Sequence, residues 1–324
     1  MKPTVFLLFA SWVLYGLGAS ASEDYTAYHQ RIGEAEELIA RAEFAQALAI
    51  YDQLFADYAF VFRRDCQVAA QLALYTGHSQ QVLRYLRRGV AQGWELKSIR
   101  KNTYLKQHLE PGTWQLLSAE YDSLRALYER RINVDMRTQV HSMFKKDQWK
   151  ALGALLRFSA KARDRYAERK FAPHSEKQLA QLIPLILNGG YPGERLIGNS
   201  SWAAVILSHH NSISDAYVQQ DSLYKYLQPS LRQALRQGYL SPYEYGSIDN
   251  WYRVVVSGHQ TKAYGILEAG MTPAEVQEAN RLRAEIGLRS IQTHNQLLQV
   301  QRQTGMDFYL PSHFGTSGEI KVDG

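Results

Sequence analysis

Between Tyr28 and Leu127 the apolar residues recur three and four positions apart, with almost no period-two alternation. That spacing gathers them on one face of a 3.6-residue helix, so the stretch predicts amphipathic helices rather than strands. Farther along, Ser241-Pro242-Tyr243-Glu244 predicts a helix start: Ser241 caps, Pro242 takes the first helical position, and Glu244 reaches back to the cap. Thr272 and Glu275 repeat the device, and Gly287 is a natural stop for that helix. Asn199 to Ser201 can cap a helix that carries Trp202, Val205, Ile206 and His209 at i, i+3, i+4 and i+7. His209 is therefore expected to point inward, and His210, roughly 100° further round, to lie off the centre of the stripe.

The two ends of the chain read differently. Lys2 precedes an apolar run from Val5 to Leu17, followed by Ala19-Ser20-Ala21, small residues that suit a signal-peptidase site. The run is shorter than the ~20 residues a helix needs to cross a bilayer, so residues 1–21 read as a signal peptide and the mature chain begins near Ser22. Beyond Thr304 no periodicity is left, and 304–324 is expected to be a flexible tail. The pattern as a whole predicts an all-α fold in two helical units, 22–130 and 138–303.

Two stretches carry resemblances. In "EAEELIARAEFAQALAIYDQLFADY", Phe44, Ala47 and Tyr51 occupy second-helix positions of a tetratricopeptide repeat, and Leu54 stands in a slot usually held by a small residue. In "CQVAAQLALYTGHSQQVLRYLRRGV", Gly77 takes the inter-helix turn, Val82 the alanine slot, and Leu86 and Gly89 follow. The segment thus resembles a short tetratricopeptide array, although the first-helix Trp and Gly of that motif are absent. Gly93-Trp94 and the Trp114 helix resemble the capping tail of such arrays. The resemblance implies either a concave surface for a protein or peptide partner, or a helical spacer packed on the second unit.

From Val140 to Val300 the order of Met143, Asp147 and Gln148, then Gly190-Tyr191-Pro192-Gly193, His209, Asp249, Tyr264-Gly265 and "NRLRAEIGL" resembles an uncharacterised bacterial domain family. The chain departs from that family's pattern at Tyr191, Asn211, Asn250, Ile266 and Leu267, where the family has Trp, Asp, Arg, Thr and Gln. If those polar groups form a reaction centre in relatives, this chain lacks half of them.

Composition narrows the partners. The formal net charge is +6, and the run from Lys145 to Lys170 holds nine Lys or Arg against three Asp or Glu. Such a run is either a solvated helix face or a patch for an anionic surface. No nucleic-acid motif accompanies it, and export argues against a nucleic-acid partner. The leader reads the chain as exported, periplasmic or secreted, and no other stretch of the mature chain is apolar for long enough to span a membrane. The single cysteine, Cys66, cannot form an internal disulfide.

The candidate chemistry centres on the histidine pair. Adjacent helical residues diverge, so His209 and His210 cannot chelate one ion, and no H-E-x-x-H or Cys/His cluster exists among the ten histidines. No metal or other cofactor is implied. One reading sets Asp249 against an inward His209 with Tyr264 nearby, the base half of an acid–base site, while Arg253 lies one turn after Asp249. The other makes them a buried structural hydrogen bond, with Asp249 and Arg253 an i,i+4 ion pair. A nucleophile is missing, because "IGNSSW" is not the G-x-S-x-G elbow. The Gly189–Gly193 loop, before the histidine helix, is a further candidate for cradling an anion, although neither phosphate-loop pattern is present. Function thus divides between an exported protein- or peptide-binding scaffold and a hydrolase-like acid–base enzyme.

Overall fold

Asp24 opens the first helix by accepting the backbone N–H of Thr26 at 2.9 Å, satisfying one of the donors a helix start leaves free. A computed structural model describes residues 24–157, 159–311 and 318–322; the expected leader and the start near Ser22 lie outside the described residues. Helix α1 (Tyr25–Ala40) and α2 (Phe44–Asp57) form one antiparallel hairpin, and α3 (Arg63–Tyr75) and α4 (Ser79–Ala91) form the next. Ala47, Tyr51 and Leu54 of α2 are buried, as are Val82, Leu86 and Gly89 of α4, while Phe44 is only partly buried. A Cβ on Gly89 would stand 2.8 Å from the ring of Trp94, so that crossing tolerates no side chain. Short α5 (Leu96–Ile99), α6 (Thr103–His108) and the longer α7 (Pro111–Arg131) follow, with α7 packed along α4.

The second unit is also helical. Helix α8 (Val134–Leu155) leads to α9 (Ala160–Tyr166), a π-helical turn (Ala167–Phe171) and α10 (Ala172–Gly189). Then come α11 (Glu194–Ile197), α12 (Trp202–His210), α13 (Asp215–Gln220), α14 (Leu223–Arg236) and α15 (Pro242–Val256). Its core joins Leu179, Leu182, Ile206, Leu207, Leu231 and Ile248 across four of these helices. Ser241 caps α15 as expected, but Glu244 does not return to the cap: it is buried and accepts the Tyr191 hydroxyl at 2.8 Å. Helix α16 (Pro273–Glu285) does carry the full reciprocal box between Thr272 and Glu275. The Gly-rich loop opens α11, not the histidine helix, and places the carboxylate of Glu194 at that helix start.

The last helix, α17 (Ile291–Thr304), returns to pack along α1, and Leu297, Val300, Met306 and Phe308 belong to the first core. Within the tail expected to be flexible, the described residues 305–311 pack against the first unit. Asp307 exchanges two hydrogen bonds with the Gln71 side chain (2.7 and 2.8 Å), and Arg64 Nε donates to the Phe308 carbonyl at 3.1 Å. Farther on, β2 (Lys321–Val322) lies parallel to β1 (Gly270–Met271), Gly270 opposite Lys321 and Met271 opposite Val322. Tail residues 312–317 and 323–324 lie outside the described residues. Apart from that two-residue pair, every regular element among the described residues is helical, so the fold is all-α. No helix among them is long and apolar enough to cross a membrane.

Candidate functional site

Helix α12 buries Ala203, Ala204, Ile206, Leu207 and His210, so its inward stripe runs through His210 and not through His209. The expected phase is shifted by one residue. The cause is Trp202, which stays half-buried at the rim, stacked on His141 of α8 at 4.3 Å with the Arg137 guanidinium 5.0 Å from its ring. The small side chains of Ala203 and Ala204 turn inward in its place. His210, 1% exposed, places Nδ1 3.0 Å from the Ser175 hydroxyl and Nε2 3.2 Å from an Asp221 carboxylate oxygen. The second contact lacks hydrogen-bond geometry. Serine, imidazole and carboxylate thus succeed one another, but Ser175 is fully buried. The polarity is also inverted relative to a hydrolase triad, with the serine on Nδ1 and the carboxylate on the Nε2 side. This is a sealed structural relay.

His209 lies at the surface, its side chain 32% exposed, with Nδ1 2.6 Å from Oδ2 of the fully buried Asp147. The carboxylate that meets His209 is therefore Asp147 on α8, and Asp249 is elsewhere. Asp249 sits at the centre of a closed hub. Its Oδ1 accepts Tyr224 Oη (2.8 Å) and Gln228 Nε2 (3.0 Å), and its Oδ2 accepts Tyr264 Oη (2.9 Å) and Arg253 Nε (2.5 Å). Four donors occupy that one buried carboxylate, and burial beside its charge pushes the Tyr224 and Tyr264 phenols up. The i,i+4 pair of Asp249 with Arg253 and the meeting of Asp249 with Tyr264 are present; the His209–Asp249–Tyr264 acid–base site is not. The hub ties α14, α15 and the Tyr264 loop together. Among the described residues no group of three His, Cys, Asp or Glu side chains is placed to hold a metal ion. The Cys66 thiol is buried, and burial pushes it up.

A different place has the character of a binding site. Between α1, the start of α3, the start of α15, the Gly287–Arg289 turn and the tail lies a cavity of about 270 Å³. Tyr28, Ile32, Phe62, Tyr243 and Leu288 give it apolar walls, and Glu36, Arg64, Asp65 and Arg289 line it as well. A second cavity of about 260 Å³ shares His29 and Gly287 with the first. Gly287 is required there: its φ is +71°, and a Cβ would stand 2.7 Å from that of His29.

Glu36, Asp65 and Arg289 are buried and Arg64 is half-buried, with both guanidiniums turned to the Glu36 carboxylate. Glu36 Oε1 lies 2.7 Å from Arg64 and 2.6 Å from Arg289. Burial pushes the Glu36 carboxyl up, but the two guanidiniums outweigh it and hold it below its ordinary value. Burial lowers Arg289, whose Nε has no hydrogen-bond partner. Asp65 accepts the Tyr28 hydroxyl at 2.6 Å and is pushed up to about 7, mainly by burial. His29, against the Leu235 carbonyl at 3.2 Å, is pushed down to about 4 for the same reason. An apolar-walled pocket with a few convergent polar groups of displaced acidity is the usual form of a recognition site.

Sequence spacing does not find this cavity, because its walls come from six separated stretches between Tyr28 and Pro311. One signal was present: Glu36 follows Tyr28 and Ile32 at i+8 and i+4, a carboxylate on the buried stripe of α1. No known family, curated protein or solved structure matches the chain.

Proposed function

We propose that this chain is an exported protein- or peptide-binding module, with paired helices in the manner of tetratricopeptide repeats and its recognition site in the cavity between the two units. The observation that carries this reading is Arg289: a buried guanidinium that lines an apolar cavity with its Nε–H unpartnered. An unpaired buried donor is costly, about 1–3 kcal/mol, and an acceptor brought by a ligand would relieve that cost. The volume falls just under the ~300 Å³ at which small-molecule pockets begin. It suits one aromatic or aliphatic side chain of a partner, with a peptide carbonyl or carboxylate reaching Arg289.

The test is selection of a displayed peptide library on the purified protein, followed by binding to two variants. Ile32→Trp fills the cavity, and Arg289→Met removes the donor while keeping most of the side-chain volume. Peptides that bind wild type should lose affinity for both by at least about tenfold, the equivalent of ~1.4 kcal/mol. Peptides that bind all three alike would place recognition elsewhere. Export is tested separately by the mass of secreted material, which should begin near Ser22; a retained Lys2 segment would overturn it.

The acid–base reading retains one supporting observation, the partly exposed His209 held by Asp147. His209→Gln should slow turnover of any ester or amide substrate this dyad serves. Unchanged turnover of a panel of activated esters removes that reading.

A further inference from the structure

The second half of α8 presents an apolar stripe to solvent. Trp149 and Leu152, with Leu156 at the helix's C-cap, occupy i, i+3 and i+7 and are 77%, 48% and 68% exposed. On one helix that spacing makes a continuous convex band, not three scattered residues. Folding ordinarily covers such a band, and this one lies outside both the cavity and the cores described above.

Basic side chains surround it. Lys145, Lys146, Lys150 and Arg157 are exposed on the same helical face and just beyond its end. Helix α9 folds back on α8, with the Tyr166 hydroxyl donating to the Lys150 carbonyl at 3.0 Å and a Cβ on Gly153 impossible against that ring. The fold-back brings Lys161, Arg163 and Arg165 alongside, all exposed, and the π-helical turn adds Arg169 and Lys170. None of these nine cations pairs with a carboxylate among the described residues, whereas Arg281 on α16 is held by both Glu278 and Glu285. Of the three acids in the run, Asp147 is buried under His209 and Glu168 accepts the Ser214 hydroxyl. The surplus of charge is unneutralised.

We propose that this face docks on the surface of an anionic lipid bilayer, with Trp149, Leu152 and Leu156 entering the headgroup region and the surrounding cations meeting lipid phosphates. A tryptophan and two leucines on one helical face rimmed by Lys and Arg are the features of an interfacial amphipathic segment. Basic residues near an anionic leaflet each contribute to attraction that falls off within a Debye length. A second copy of the chain is opposed by the same charge, because two such faces repel. A folded protein partner needs an interface several times larger than three side chains supply.

The experiment is flotation with vesicles of phosphatidylcholine alone or with about one third phosphatidylglycerol, at low and physiological salt. Wild type and variants are purified identically, so any retained leader contributes equally to each. Wild type should float with the anionic vesicles, weakly or not at all with neutral ones, and less as salt rises. The pair Trp149→Ser with Leu156→Ser, and separately Lys146→Glu with Lys150→Glu, should each reduce binding about tenfold or more. Both pairs change exposed positions, so their melting temperatures should match wild type and separate lost docking from lost folding. Absence of flotation, equal binding to neutral vesicles, or undiminished binding by either pair overturns the proposal. So does concentration-dependent self-association, or capture by a soluble acidic protein in place of vesicles.

Discussion

Truncating His210 should damage the fold more than truncating His209, because only His210 is enclosed. His210→Ala removes a fully packed ring and leaves the buried Ser175 hydroxyl without its partner, an expected loss of about 2–4 kcal/mol. His209→Ala opens a site already 32% exposed, where water can reach Asp147, and should cost about half as much or less. Thermal unfolding of the two variants decides this; equal melting points would sink the assignment. Two residues of the cavity set opposite limits on pH. Asp65 titrates near 7 in the fold against 3.8 ordinarily, so across that window the native state holds a proton the unfolded chain has released. Its contribution to stability is present at low pH and is lost as pH rises toward 7. Asp65→Asn still accepts the Tyr28 hydroxyl and should therefore melt above wild type at pH 8 and level with it near pH 4. His29 works the other way. Pushed down to about 4 from 6.5, it remains neutral in the fold while the unfolded chain takes up a proton, so stability falls as pH drops through that interval. His29→Gln should weaken this acid-side decline, and a melting curve as acid-sensitive as wild type would show that His29 does not cause it.

Elements were legible where a local rule acts alone. The hairpins of the first unit, the Ser241 and Thr272 caps and the stop at Gly287 follow from spacing and capping chemistry, and the structure has all of them. Helix α12 shows where local rules stop. Trp202 and Ala203 fit its pattern equally well as the first inward residue, and only the stack of Trp202 on His141, sixty-one positions earlier, sets the phase. The tail was illegible for a related reason. Bonds from Gln71, Arg64, His294 and Asn295 to its backbone hold it, and such bonds impose no hydrophobic period. Phe308 is nonetheless 1% exposed in the first core. Phe308→Ala should cost about 3–5 kcal/mol, as a core phenylalanine does, and a change near zero by chemical denaturation would restore the flexible-tail reading.

At the scale of the molecule, Glu36 joins the two units. It lies between Arg64 of the first and Arg289 of the second; Glu36 and Arg289 are buried and Arg64 is half-buried, so Glu36→Gln strands one desolvated cation, loosens a second, and should cost about 3–5 kcal/mol. Unfolding followed by circular dichroism and by tryptophan emission should remain one coincident transition in wild type and lose midpoint in the variant; an unshifted midpoint would remove the joint from the account of stability. The return of α17 has a consequence in time. The first core includes Tyr25 and is closed by Leu297, Val300, Met306 and Phe308, so its earliest residues wait until synthesis has passed α17. A nascent chain emerging at about 5–20 residues per second would carry that open face for some tens of seconds. Such a delay keeps the leading half unfinished until α17 and the segment after it arrive, and makes their return the latch that commits the protein to its native state.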